Sequence, residues 1–468
     1  MATIQSPLNV KMTRPSLLAA AVLSLAALNA GATDLLQVWH AARQHDPQAA
    51  ALDAGRAAGV ARREQGASLW RPNVGLSASA GWSGAESRME GAQFAAPIFP
   101  EPVNQASFGT SVNGGTATRW GLSARQPLYD ATRSAQSRQL GIAADAAELE
   151  YRHGRQEWML QITQRYFDLV LAERRLALLQ QQHAAVEKAL VEAKDRFAIG
   201  DAPITDSHEA AARARGLQAQ LVAAGNELEL ARQLLADSSG LPADGIKPLA
   251  PASGQLPGAL EPLSHWQDRS GRNNPMLLLQ QAQLDAASQE VRKHGLAGSP
   301  TLDLVAQAAR ERLGGSGDFG KASNKQSQQM VGVAFSLPLY TGGWRSAKLD
   351  ESLRLQDKAR AQLELARLQV AQQTRSAWLA LQSGQARIAA LEQALTASQA
   401  RLDSTRIGRQ VGDRTTLDLL NAENDATAAE LALLQGRIEL LQVRLRLQAL
   451  AGELDEPDLQ ALNAGLEH

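Results

Sequence analysis

The feature that most constrains this chain is that the same series of breaks occurs in it twice. Asn274-Pro275 and Pro300 lie 228 positions after Pro47 and Pro72. Pro338-Leu339-Tyr340 lies 211 after Pro127-Leu128-Tyr129, and Gly412 and Gly452 lie 212 after Gly200 and Gly240. Offsets that stay this close through several kinds of local pattern indicate an internal duplication. Between the breaks the apolar residues keep the helical period over long runs. From about Thr132 to Phe197 there is no proline, which predicts a helix about 100 Å long at ~1.5 Å per residue. Ile162, Leu169, Leu176, Leu190 and Phe197 keep a heptad spacing broken only at His183, so this face packs in a coiled-coil manner. A turn at Gly200-Asp201 leads into a second helix from Thr205 to about Ala236, with Pro203 suited to the first turn. The final helix carries Leu417, Leu420, Leu431, Leu434, Ile438, Leu441 and Leu445 on one face. Leu440, Val443, Leu447 and Leu450 lie on another, so it needs neighbours on two sides.

Four shorter stretches change to a period of two. Val74, Leu76, Ala78, Ala80 and Trp82 alternate with small polar residues, as do Trp120, Leu122 and Ala124. The second half repeats this with Leu302, Leu304, Ala306 and Ala308, then Val331, Val333, Phe335 and Leu337. An apolar face opposite a small polar face suits a membrane barrel, with lipid outside and water inside. Four strands cannot close such a barrel, since single-chain barrels begin at about eight, so other copies of the chain must complete the edges. Trp70, Trp82, Trp120, Tyr129, Tyr340 and Trp344 stand near strand ends, as interfacial aromatics do. The plainer alternative is a water-soluble sheet covered by helices.

Composition narrows the function classes. Cysteine is absent, which excludes disulfides, thiolate metal sites and a lipidated cysteine anchor. A formal net charge of −1 leaves no polyanion footprint, so no nucleic-acid partner is expected. Lys11 and Arg14 precede an apolar run from Leu17 to Leu28 and a small-x-small site at Ala30-Gly31-Ala32, the pattern of a secretory signal peptide over 1–32. The polar residues before Met12 make Met12 an alternative start to Met1. The expected organisation is a signal peptide at 1–32, a first repeat at 33–240 and a linker at 241–258. A second repeat at 259–452 and a C-terminal tail at 453–468 complete it.

The paired turns Ile199-Gly200-Asp201 and Val411-Gly412-Asp413, the run Thr416-Leu417-Asp418-Leu419-Leu420 and the opening Asp34-Leu35-Leu36-Gln37-Val38-Trp39 with Asp46-Pro47 resemble the TolC family of outer-membrane export channels. The resemblance extends from about Asp34 to Gly452. It implies a mainly α chain with β: four membrane β-strands per chain, a shared 12-stranded barrel in a homotrimer, and a long α-helical periplasmic tunnel. It also implies a periplasmic adaptor, an inner-membrane ABC or proton-driven pump, and outer-membrane lipid as partners. Polypeptide export by type I secretion is the favoured role, with small-molecule efflux as the alternative and a poreless periplasmic coiled-coil protein as a remoter one.

Site residues follow from the same resemblance. Asp418 matches the first acidic ring of the periplasmic constriction, and Asn421 falls where secretion-type relatives place a second Asp. One ring instead of two implies weaker cation selectivity. Arg414 matches an arginine that ties the last helix to the earlier hairpin, with Thr205 and Asp206 as its partners. Arg409 replaces an aromatic and is expected to pair with Asp206. Gly200 and Gly412 mark the tips that would meet the adaptor. Read without the resemblance, Asp418 is an acid favoured by a helix N-terminus, the arginines are solvated surface charges, and the glycines meet a turn's need for positive φ.

No catalytic or cofactor motif survives inspection. Gly315-Ser316-Gly317-Asp318-Phe319-Gly320 fits GxGxxG but opens no helix, and His208-Glu209 lacks the second histidine of a zinc-protease helix. The chain is therefore expected to be no enzyme and to need no cofactor or metal.

Overall fold

The computed structural model describes residues 33–466 apart from 96, 99, 243–244, 251–259 and 319. The expected signal peptide and part of the expected linker lie outside the described residues. The element order runs through one pattern twice. The first pass is α1 (Leu35–His45), α2 (Pro47–Ser68), β1 (Asn73–Phe94), β2 (Val103–Asp130), α3 (Ala131–Ala198) and α4 (Ile204–Ser239). The second is α5 (Leu263–Asn273), α6 (Pro275–Gly295), β3 (Thr301–Gly317), β4 (Gly320–Ser336), α7 (Trp344–Gln410) and α8 (Thr416–Leu450). A short α9 (Glu456–Asn463) follows, where the sequence reading had only a tail. The chain folds as two compact units, each drawing on both halves: 33–51, 155–267 and 374–466 form one, and 52–154 with 268–373 the other.

The helical unit has an aromatic core around α1. Asp34 caps α1 in a capping box with Gln37. The next turns bury Leu35, Val38, Trp39 and Ala42. Trp39 packs against Trp158 with the rings tilted by 47° and their centroids 4.4 Å apart, and the Trp158 indole N–H donates to the Asp46 carboxylate at 2.8 Å. Met159, Ile162, Tyr166, Phe167 and Leu169 of α3 are fully buried, and the Tyr166 hydroxyl donates to the Lys247 carbonyl at 2.7 Å. Desolvation holds the Tyr166 phenol neutral by pushing its pKa far up. α9 closes the same core with Leu459 and Leu462 behind an Asp455–Asp458 capping box.

Both apolar faces of α8 are covered, as their spacing requires. Leu433, Leu440, Leu447 and Leu450 pack with Ala377, Leu381 and Ile388 of α7. Leu420 packs instead with Leu179, Val186 and Leu190 of α3 and Ala210, Ala214 and Leu217 of α4. Alanines at these positions let the helices approach closely. The heptad faces end before the hairpin tips: Phe197 and Leu417 are exposed in the single chain.

The second unit contains a four-stranded antiparallel sheet in the order β1-β2-β3-β4. Val74 faces Ala124, Leu76 faces Leu122, Leu122 faces Ala308 and Ala306 faces Val331, so the apolar alternation of all strands falls on one face. That face is not covered by helices. Leu76 is 74% exposed, Trp82 81%, Val331 78% and Phe335 65%, which overturns the alternative of a helix-covered soluble sheet. An apolar sheet face this exposed calls for lipid. β2 and β3 approach most closely at Gly115 and Gly315, where a Cβ would come within 2.0 and 2.2 Å of the facing carbonyl oxygens. No described helix is long and apolar enough to cross a membrane.

Candidate functional site

The two hairpin tips of the helical unit are built alike. After α3, the Asp201 N–H donates to the Arg196 carbonyl at 2.8 Å and the Gly200 N–H to the Phe197 carbonyl at 3.0 Å. After α7, the Asp413 N–H donates to Gly408 at 2.8 Å and the Gly412 N–H to Arg409 at 3.1 Å. These are Schellman ends, which place the residue after the helix in the left-handed region. Gly200 and Gly412 sit there with φ of 79° and 81°.

The two returning helices start differently. α4 begins behind Pro203, which supplies no side-chain cap and stands one position before the first helical residue. α8 begins behind Thr415, whose hydroxyl accepts the Asp418 N–H at 3.1 Å. The Asp418 carboxylate in turn accepts the Thr415 N–H at 3.0 Å and the Thr415 hydroxyl at 2.8 Å. Those hydrogen bonds hold the Asp418 carboxyl below its ordinary pKa, so it stays ionised at the partly exposed start of α8. Asp418 is thus both a cap and a fixed negative charge.

Three turns of α8 face the first hairpin with polar side chains. The Asn421 carbonyl oxygen accepts from the Arg213 guanidinium at 2.5 Å, and the Gln182 amide donates to Asn424 at 3.1 Å. Arg174 pairs with Glu430. Arg213 lies beside Ala210, Ala214 and Leu217 on the packed stripe of α4, and a cation within an apolar stripe was the legible signal of this contact.

The expected lock is wired otherwise in the chain. The Arg409 guanidinium binds Glu192 of α3, not Asp206. Arg409 lies on the last turn of α7, and Glu192 is the carboxylate that α3 brings against it. Arg414 does not reach Thr205 or Asp206 either: its stem folds back over Gly408, where a Cβ would come within 2.7 Å of Arg414 Cγ. Its nearest carboxylate is the adjacent Asp413, at 3.9 Å. Asp206 and Thr415 do line one small cleft of about 100 Å³ between the starts of α4 and α8. Glu423 is the other carboxylate that sequence reasoning missed. It is half-buried, one oxygen has no hydrogen-bond partner among the described residues, and burial raises its pKa against the opposing fields of Arg406 and Arg409.

Among the described residues there is no cluster of histidines and acids able to hold a metal ion. What the site can do is electrostatic and mechanical: it holds fixed charges at the ends of two hairpins and ties one hairpin to the other.

The chain is similar to known proteins over most of its length. The sequence profile of outer membrane efflux proteins matches residues 38–241 and 266–453. The proteases secretion protein PrtF of Dickeya chrysanthemi is 27% identical over 97% of this chain and 95% of its own length. The outer membrane protein TolC of Escherichia coli strain K12 is 26% identical over 93% of this chain and 85% of its own. The CmeC outer membrane channel of Campylobacter jejuni superposes with a TM-score of 0.69 at 16% identity, over 99% of this chain and 98% of that one, a likeness of fold.

Proposed function

Because the chain belongs to the outer membrane efflux protein family, whose profile covers most of its length, we propose that it is the outer-membrane duct of a type I secretion system and carries polypeptides. The observation that carries the cargo is the end-to-end similarity to a protein named for protease secretion. The family's own description favours a second reading, efflux of small molecules through the same duct. Deleting the gene separates the two. Loss of a polypeptide from the culture supernatant with unchanged drug susceptibility supports secretion; sensitisation to small toxic compounds with intact exoproteins refutes it.

The duct is a homotrimer in this reading. β1 and β4 are sheet edges with open hydrogen-bonding groups, and strand edges are not tolerated in lipid, so the four strands of each of three chains complete one barrel. The halves 33–240 and 259–452 are a duplication, which gives each protomer two alike hairpins with Gly200 and Gly412 at their tips, where a periplasmic adaptor fed by an inner-membrane pump docks. Asp418 lines the constriction as the one acidic ring, and Asn421 leaves the second position uncharged. Arg409 and Glu192 tie the hairpins, with Arg414, Thr205 and Asp206 at the same level. Asp418→Ala should weaken block of the channel by divalent cations in planar bilayers, and undiminished block would remove Asp418 from the ring.

A further inference from the structure

The charges of the sheet are sorted by face. Residues paired in register share a face, so the rows Ala78, Trp120, Arg310, Ser327 and Ala80, Thr118, Arg312, Lys325 continue the apolar face of Val74, Leu76 and Trp82. The pair Ser316 and Lys321 adds a fourth cation to it. Arg310, Arg312, Lys321 and Lys325 are all exposed and have no ion pair or side-chain hydrogen bond among the described residues. The acids of β3 point the other way, where Glu311 binds Arg119 and Asp303 binds Arg125, each at 2.5 Å. Along β3 and β4 the rows of the apolar face contain no carboxylate to balance these cations.

This placement is costly unless an anion joins it. Arg312 and Lys325 are direct cross-strand partners, and like charges in that position destabilise a sheet. The cations also have a fixed level. From the end of the sheet joined to helices, the face reads Leu302, Leu304, Ala306 and Ala308 on β3, and Phe335, Val333 and Val331 on β4, before the charges begin. That apolar strip is about 20 Å long at ~3.4 Å per residue. The cations follow it toward the end closed by the β3–β4 turn, next to Trp120, the direct partner of Arg310. With the helices periplasmic, that end is at the outer surface, and a tryptophan beside a cation marks the headgroup level.

We propose that Arg310, Arg312, Lys321 and Lys325 bind the phosphates of an outer-leaflet lipid, whose acyl chains lie on the apolar strip below. A soluble anion would use the charges but not the exposed strip that continues from them; a phosphorylated lipid uses both. The site depends on the sheet lying in the outer membrane and is independent of the cargo.

The test uses the full-length protein in detergent, titrated with diphosphoryl lipid A and, separately, with the same lipid after dephosphorylation. Lys325→Glu is the informative variant, because it gives Arg312 a cross-strand partner and leaves the sheet intact. Wild type should bind the diphosphoryl form at least ten-fold more tightly than Lys325→Glu does, and the dephosphorylated form as weakly as the variant. Lys325→Arg should keep the wild-type affinity. Equal binding by wild type and Lys325→Glu, or no preference for phosphates, overturns the proposal. Displacement of the lipid by millimolar inorganic phosphate would instead reveal a small-anion site and overturn the lipid assignment. Unchanged conductance of Lys325→Glu in planar bilayers shows that the barrel is intact whichever result is found.

Discussion

Replacing Arg409 with Ala should loosen the closed arrangement of the hairpins more than replacing Arg414 with Ser. Arg409 reaches across from α7 to Glu192 of α3, whereas Arg414 folds over its own hairpin and is 3.9 Å from the neighbouring Asp413. The Arg409 side chain is 22% exposed and Glu192 45%, so the pair is partly screened and is worth about 0.5 kcal/mol, within the range of measured surface pairs. Three copies acting together in the proposed trimer give about 1.5 kcal/mol, or roughly a ten-fold shift in the opening equilibrium. Single-channel recording in planar bilayers reads this shift as a higher open probability for Arg409→Ala. The double variant Arg409→Glu with Glu192→Arg should restore the wild-type trace. At about 1 M salt, where the screening length falls to ~3 Å, the difference between variant and wild type should shrink. Opening by Arg414→Ser with no change from Arg409→Ala would refute the reasoning and show that contacts between protomers hold the lock.

Four further outcomes are expected. Asn421→Asp places a carboxylate against Arg213, so cation selectivity measured by reversal potential should rise only slightly, and should rise further when Arg213→Ala is added. Thr415→Ala removes the cap of α8 and should cost about 1 kcal/mol in unfolding experiments. The hydrogen bonds to Thr415 that lower the Asp418 pKa stabilise the fold above the ordinary carboxylate range, and this contribution is lost as pH falls through the lowered value, so Thr415→Ala should also weaken that acid dependence. Glu423 has the opposite sign: its raised pKa means that the folded state holds a proton the unfolded state has released, so stability falls as pH rises from the ordinary to the raised value. Glu423→Gln should therefore raise the melting temperature at pH 7, and the gain should vanish below the ordinary carboxylate range. Val331→Arg, midway along the exposed apolar strip, should cost about 2 to 4 kcal/mol near the bilayer midplane and reduce the membrane-inserted fraction on fractionation.

Much of this architecture is written in local pattern, and particular residues show why the rest is not. The α1 and α2 break at Asp46-Pro47 and the turns at Gly200 and Gly412 follow from backbone chemistry that needs no partner. The alternation through Trp82 revealed β1, but not its extension to Phe94, because Ser83-Gly84-Ala85-Glu86 has no apolar face to alternate. α9 escaped notice because eight residues contain only one pair of core leucines, Leu459 and Leu462. The sequence alone determined the long helices, the duplicated hairpins and a sheet with one lipid-seeking face, since periodicity and turn residues act over a few positions. Only the tertiary structure decided that Arg409 meets Glu192, 217 positions away, that Arg213 meets Asn421, and that the β3 and β4 cations share one face. Such pairings depend on helix rotation and strand register, and a long guanidinium stem can reach several carboxylates until packing leaves it one.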